Sequence, residues 1–225
     1  MQLEQNIKGL CAKFGIEFDD FLEDLDVENV HELTVYDLEA ICEEYEVDLY
    51  ALLFKPLFKP EIYKKSLAAI KFLILDVDGV MTDGGMYVSE NGDQSKRFNA
   101  QDGMAILRLV KNNFKVGVIS SGTTEHIIQK RAALLGIQHC YVGLDSKISI
   151  LQDWCKTLDI KLSEVAMIGD DVNDIEIMQK VGIAACPANA VNTVKSIAHI
   201  QLSKKGGDAC IREFIDNYLL KEPIH

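Results

Sequence analysis

The chain has 225 residues, 48% of them hydrophobic, enough for one large domain or a medium domain with a small partner. No run reaches the roughly 18 apolar residues of a membrane span, and the opening Met1-Gln-Leu-Glu-Gln5 has neither the basic start nor the apolar core of a signal peptide. The formal charge of −12 is lopsided: residues 1–60 carry 15 Asp and Glu against 4 Lys, a net of −11, and residues 61–225 are near −1, which marks a domain boundary.

Residues 2–55 read as several short helices. Ile7, Leu10, Cys11 and Phe14 make one apolar face, and Phe18, Phe21, Leu22 and Leu25 another. Thr34 is placed as an N-cap, with Leu38, Ile41, Cys42 and Tyr45 following at helical spacing, and residues 46–54 add a closing helix. The last two helices, separated by a short turn, are similar to the end of a Cro-type helix-turn-helix domain. DNA binding needs Lys and Arg to meet phosphates, yet residues 1–54 hold only Lys8 and Lys13. The expectation is a small acidic helical domain over 1–60 that contacts a protein and no nucleic acid.

Lys55-Pro-Leu-Phe-Lys-Pro60 predicts a stiff linker to a second domain over 66–225. There, the unbroken apolar run Phe72 to Leu75 suits a strand buried on both faces, although a buried helical turn reads similarly. Short β-prone runs at 85–89 and 95–98 flank Asn91-Gly92, a hairpin signal. A helix over 102–111 leads into a buried strand at 115–120. A helix over 123–135, closed by Gly136, precedes a strand at 140–142 and a helix at 146–158. A strand over 165–168 ends in Gly169-Asp170-Asp171, a helix spans 175–181, Ile183-Ala184 opens another strand, and a last helix lies near 209–220. This alternation predicts an α/β fold, a Rossmann-like three-layer α/β/α sandwich with a parallel sheet and a β-hairpin, preceded by a small all-α domain. Ligands of such sheets bind outside the carboxyl ends of the strands.

Asp76-Val-Asp-Gly79 stands at one such end. Asp76 and Asp78, at i and i+2, are predicted to point the same way while Val77 points inward. Adjacent carboxylates repel unless a cation or a proton holds them. A solvated turn remains the alternative, whereas an EF-hand loop is excluded because Val80 falls where an oxygen ligand is required. Other predicted strand ends carry Ser120-Ser121-Gly122, Lys147, and Asp170, Asp171 and Asp174. Singly, each reads as a cap or a surface charge. Jointly, the topology gathers carboxylates, a hydroxyl and an ammonium at one sheet edge, where Mg²⁺ is the natural counterion. Cys11, Cys42, Cys140, Cys155, Cys186 and Cys210 form no Cys-x-x-Cys pair, which predicts free thiols in the cytoplasm. The five histidines have no ligand spacing, so zinc is not expected.

In order and spacing these segments resemble the four motifs of the haloacid dehalogenase superfamily, matched by Asp76-Val-Asp-Gly-Val80, Ser120, Lys147 and Gly169-Asp-Asp-x-x-Asp174. The resemblance implies that Asp76 is the nucleophile and Asp78 the general acid/base, whose backbone carbonyl also binds Mg²⁺. It implies that Ser120, with Ser121 and Gly122, binds the phosphoryl group, that Lys147 neutralises it, and that Asp170 ligates the metal with Asp171 or Asp174 in support. Only about 40 residues separate Asp78 from Ser120, and one helix and one strand separate Ser120 from Lys147, so neither place where larger members carry a cap domain has room for one. An uncovered site would be wet and poorly selective. Either the substrate is a macromolecule, or a neighbouring subunit supplies the lid.

Asp76-Val-Asp-Gly-Val-Met-Thr-Asp-Gly84 and Lys96-Arg-Phe-Asn-Ala-Gln-Asp-Gly103 are similar to the capless phosphatases of 3-deoxy-D-manno-octulosonate 8-phosphate (KDO 8-phosphate), whose relatives act on nonulosonate (sialic acid or KDN) 9-phosphates. The similarity implies a homo-oligomer, a tetramer closed by the hairpin, acting on a small sugar phosphate, with Thr82 and Arg131 also meeting substrate. Arg131 is equally suited to pairing with a carboxylate. Lys204-Lys-Gly-Gly207 resembles a family tail that reaches a neighbour's site. Thr123 stands where a charged residue discriminates substrates, and Ala209 where glycine is usual. A regulatory or scaffolding protein using the helical domain is the non-enzymatic alternative.

Overall fold

Amphipathic spacing in the first 55 residues produces four helices: α1 (Gln2–Phe14), α2 (Phe18–Asp24), α3 (Val35–Glu44) and α4 (Leu49–Phe54). The computed structural model describes residues 2–55, 57, 63–122 and 125–220, and divides into two compact units, Met1–Lys65 and Ser66–His225. The expected proline linker and Thr123 fall outside the described residues, save Lys55 and Leu57.

In the first unit Ile7, Leu10, Cys11, Phe21, Leu22, Leu38, Ile41 and Leu52 share one core. Thr34 caps α3 as expected, and the cap is reciprocal: Asp37 N donates to Thr34 Oγ1 while Thr34 N donates to Asp37 Oδ2 at 2.7 Å. Phe14, expected on the buried face, is 49% exposed and lies against the Tyr45 ring at 4.9 Å. Buried Asn6 was not anticipated. Its amide donates to the carbonyls of Leu52 and Lys55, both at 2.7 Å, and its Oδ1 accepts from Leu57 N. One side chain thereby satisfies two carbonyls at the C-terminal end of α4, those of Leu52 and of the capping residue Lys55.

The helix α5 (Lys64–Ala69), whose last four residues open the second unit, precedes β1 (Phe72–Leu75), whose four residues are all buried. The hairpin strands β2 (Tyr87–Val88) and β3 (Gln94–Ser95) are followed by α6 (Ala100–Lys111), β4 (Lys115–Ser120), α7 (Glu125–Leu134) and β5 (His139–Val142). Then come α8 (Lys147–Leu158), β6 (Val165–Ile168), α9 (Ile175–Met178), β7 (Ile183–Cys186), α10 (Asn192–Ile197), β8 (Ile200–Gln201) and α11 (Cys210–Phe214). The main sheet has the order β5-β4-β1-β6-β7-β8, and its strand pairs are parallel. Helices α8, α9 and α10 cover Phe72, Ile74 and Met167 on one face, while α6 and α11 pack on one another. Leu75 pairs with both Val118 and Ile168, so β1 and β6 end level while β4 runs two residues further, to Ser120.

The expectations for three elements need correction. The hairpin pairs only Tyr87 with Ser95 and Val88 with Gln94, because the turn absorbs residues 89–93 and Lys96 leaves the ladder for Asp78. The helix expected over 175–181 is a 3₁₀ turn, Val172–Asp174, followed by the short α9, because the Asp174 carboxylate is bound to the loop before it. The last helix becomes α11 and a wider turn over Ile215–Leu219, entered through Ala209 at φ +67. No helix among the described residues is long and apolar enough to cross a membrane.

Candidate active site

The site grows from the end of β1. Asp76 follows the last buried strand residue, and the chain then coils through Val77–Met81 with Gly79 at φ +90. A Cβ on Gly79 would run into the Asp170 carboxylate, so glycine here brings two acidic loops together. Gly206 likewise lies with its α-carbon against the Gly79 carbonyl, and Gly207 N donates to Val80 O at 3.0 Å. The 204–207 segment thus braces its own chain's catalytic loop.

Lys147, the first residue of α8, reaches back across the sheet edge. Its Nζ donates to Asp76 Oδ1 at 2.8 Å and to Asp174 Oδ1 at 2.7 Å, and all three side chains are nearly or fully buried. Asp174 Oδ2 accepts from the backbone N of Asp170 at 3.0 Å and of Asp171 at 3.4 Å. Both Asp174 oxygens are therefore engaged, and its work is to hold Lys147 and the 170–171 loop. Burial and then the Asp174 carboxylate push Asp76 up to about 8, against the pull of Lys147. Burial opposes the Lys147 ammonium, but Asp76 and Asp174 outweigh it and raise its pKa.

Asp170 completes the cluster. One oxygen each of Asp76, Asp170 and Asp174 falls within 4.8 Å of the others, and Asp170 Oδ1 is buried with no hydrogen-bond partner. Burial, then Asp174 and Asp171, push Asp170 up to about 7. Three carboxylates against one ammonium leave two negative charges, the amount one divalent cation cancels. The hard oxygen donors of Asp76 and Asp170 fit such an ion.

A cavity of ≈ 320 Å³ opens over these groups, lined by Asp76, Asp78, Ser120, Ser121, Gly122 and Asp171, all expected from the sequence. Ser120 Oγ accepts from Gly122 N at 3.1 Å, which folds the 120–122 segment into a small cradle. Asp171 caps the 3₁₀ turn through Val172 N at 2.7 Å. Thr82 and Arg131 do not reach the cavity. Thr82 Oγ1 donates to Val77 O at 3.2 Å and accepts from Gly84 N, bracing the catalytic loop. Arg131 lies over the Phe98 ring at 5.3 Å and donates to Asn99 O at 3.5 Å. The cavity also takes in Met86, Gln94 and Lys96 from the hairpin arm, of which Lys96 is a charge suited to an acidic substrate, and Asn173, whose amide donates to Ser121 Oγ at 3.4 Å. Asn173 falls in the unspecified part of the fourth motif, and the hairpin residues carry no local signal of where their arm folds.

Residues 143–214 match the family model of haloacid dehalogenase-like hydrolases. The chain is 37% identical over 155 residues to 3-deoxy-D-manno-octulosonate 8-phosphate phosphatase of Yersinia pestis, an alignment covering 69% of this chain and 82% of that protein. Among solved structures it is similar to the phosphatase of the same name from Moraxella catarrhalis, in complex with magnesium ion, phosphate ion and KDO (29% identity, TM-score 0.66, 69% of this chain and 88% of the other). The cobalt-bound deoxy-D-mannose-octulosonate 8-phosphate phosphatase of Haemophilus influenzae gives 34% identity and a TM-score of 0.65, covering 68% and 90%.

Proposed function

Because the chain belongs to the haloacid dehalogenase-like hydrolases and is a phosphoric monoester hydrolase, we propose that it hydrolyses the phosphomonoester of an acidic sugar, 3-deoxy-D-manno-octulosonate 8-phosphate, with Mg²⁺ as cofactor. The observation that carries the reading is the buried chain Asp76–Lys147–Asp174 beside the unpartnered oxygen of Asp170. Relatives named for this substrate add support. The same intact set weighs against a purely scaffolding role.

With Lys147 on Oδ1, Asp76 presents Oδ2 to phosphorus. The Oδ2–P bond forms as the P–O(sugar) bond breaks, and the leaving oxygen takes a proton from Asp78. Asp78 then removes a proton from water, whose oxygen attacks the phosphoryl group and frees Asp76 and inorganic phosphate. Ser120 and the 120–122 cradle hold the phosphoryl oxygens, and Lys147 offsets their charge. Phosphoryl transfer depends mainly on such positioning and neutralisation. Mg²⁺, held by Asp76, Asp170 and the Asp78 carbonyl, would screen the nucleophile from the dianionic phosphate when bound.

The hairpin and the absence of any cap element among the described residues between Asp78 and Lys147 favour a homotetramer in which subunits close each other's sites. Free cysteines suit the cytoplasm. The acidic helical unit is a candidate contact for a protein partner. Steady-state kinetics with Mg²⁺ on KDO 8-phosphate and on nonulosonate 9-phosphates tests the substrate. The expected result is a higher kcat/KM for the eight-carbon sugar. The opposite order would move the assignment to the nine-carbon acids, which Thr123 leaves open.

A further inference from the structure

Lys96 follows β3 on an otherwise exposed arm, yet its side chain is only 6% exposed. Its ammonium forms an ion pair with Asp78 Oδ1, and both residues line the cavity with Asp76 and Ser120. Asp78 is otherwise unlike the neighbouring carboxylates. Asp174 is tied at both oxygens and Asp76 is clamped by Lys147, whereas Lys96 supplies the hydrogen bond to the Asp78 carboxylate found among the described residues. That carboxylate is 39% exposed and follows a turn in which Asp78 itself has non-helical angles. Left alone, it would sample several rotamers. Burying a long lysine side chain costs rotamer freedom that a solvated surface charge keeps. Something in the wall of the cavity must offset it, and the group in place is Asp78.

We propose that Lys96 is a positioning residue for the reaction: from the hairpin arm it fixes the Asp78 carboxylate in the pose from which a proton passes to the leaving oxygen. The inference rests on the acid/base role given above to Asp78. Its consequence depends on the leaving group. A sugar alkoxide is strongly basic and must receive the Asp78 proton as the P–O bond breaks. A p-nitrophenolate is weakly basic and departs without one. A misplaced Asp78 slows the water step alike for both substrates, but it slows phosphoenzyme formation, which kcat/KM reports, only for the first. A lysine that bound the phosphoryl group, or merely stiffened the arm, would penalise both alike.

The test compares wild type, Lys96→Met, Asp78→Asn and the double variant in the full chain with Mg²⁺, after thermal melting has shown each to be folded. The substrates are KDO 8-phosphate and p-nitrophenyl phosphate. Lys96→Gln replaces Lys96→Met should the latter not fold. We expect Lys96→Met to lower kcat/KM on the sugar phosphate by roughly 10–100-fold, the scale of a small misplacement in a reacting geometry. The loss on p-nitrophenyl phosphate should be several times smaller. In the Asp78→Asn background the Lys96 substitution should add little, since residues acting through one another are not additive. Equal losses on both substrates, a fully multiplicative double variant, or no loss at all would overturn the inference. Unimpaired Asp78→Asn would overturn the role of Asp78 and the inference together. A large loss there with an unimpaired Lys96→Met overturns the inference alone.

Discussion

Lys147 and Asp76 are 71 positions apart in sequence and 2.8 Å apart in space, Nζ to Oδ1, with both side chains almost fully buried. Removing one partner of a buried pair strands the other charge, which typically costs about 3–5 kcal/mol. Lys147→Met is therefore expected to lose stability on that scale in urea unfolding without metal, and to lose turnover. Saturating Mg²⁺ should recover part of the stability, because a cation can take over the stranded carboxylates. Unchanged stability in the metal-free variant would show that Asp76 and Asp174 do not depend on the ammonium.

Asp76→Asn removes the oxygen proposed as nucleophile while keeping the shape of the side chain. No turnover and no trapped phosphoenzyme by mass spectrometry are expected. Asp78→Asn should lose roughly 10²–10⁴-fold, the usual worth of a general acid/base. Near-normal kcat in Asp76→Asn would rule out the covalent route.

Without a cation, Asp76 is pushed up to about 8 and Asp170 to about 7, by burial first and neighbouring carboxylates second. Both then carry protons at mildly acidic pH, and a metal ion must displace them. Mg²⁺ affinity, read by calorimetry, should rise from pH 6 to pH 8 and flatten above. Chelation should stop activity, and Asp170→Ala should weaken binding with the fold intact. Full activity after exhaustive chelation would remove the metal from the mechanism.

Asp102 is a buried carboxylate outside the cavity. Its Oδ1 accepts from Arg212 N at 2.8 Å, and its Oδ2 has no partner. Burial pushes its pKa to about 6 from 3.8, although backbone N–H groups, Arg212 first, pull it down. The folded state thus favours the protonated acid, so no penalty exists below pH 4. It builds as pH rises towards 6 and stays thereafter. Relative to Asp102→Asn, the wild type should lose on the order of 2–3 kcal/mol between pH 4 and pH 7. A stability difference that does not change with pH would contradict this.

Met86, Tyr87 and Val88 are 72%, 50% and 58% exposed on the hairpin. If subunits close each other's sites there, replacing the three with Ser should dissociate the assembly, as read by light scattering, while leaving Lys96 in place. Removal of the whole arm would not be a clean test, since it also takes Lys96 from Asp78. A wild type that is monomeric at all concentrations would end the proposal of a borrowed lid.

What the chain order determined by itself was local. The run Phe72–Leu75 reads as buried, in a strand more readily than in a helical turn, and it forms a strand with all four residues buried. Thr34 three residues before Asp37 closes its own helix cap. The acidic ends of β1 and β6 could be read because alternating strands and helices force a parallel sheet, and such a sheet aligns its carboxyl ends. The destinations of long side chains were decided elsewhere. Lys96 reads as a hairpin charge that either meets an acidic substrate or stays solvated, as lysines mostly do; the fold buries it on Asp78. Thr82 and Arg131 carry residue types fit for a phosphate, but the loop and helix that hold them turn them to backbone carbonyls. Asn6 looks like one polar residue on an amphipathic helix, yet the end of α4 arrives beside it. Periodicity records which face of an element is apolar. It does not record which distant backbone will come within hydrogen-bonding reach, and only the packing inside each unit settled that.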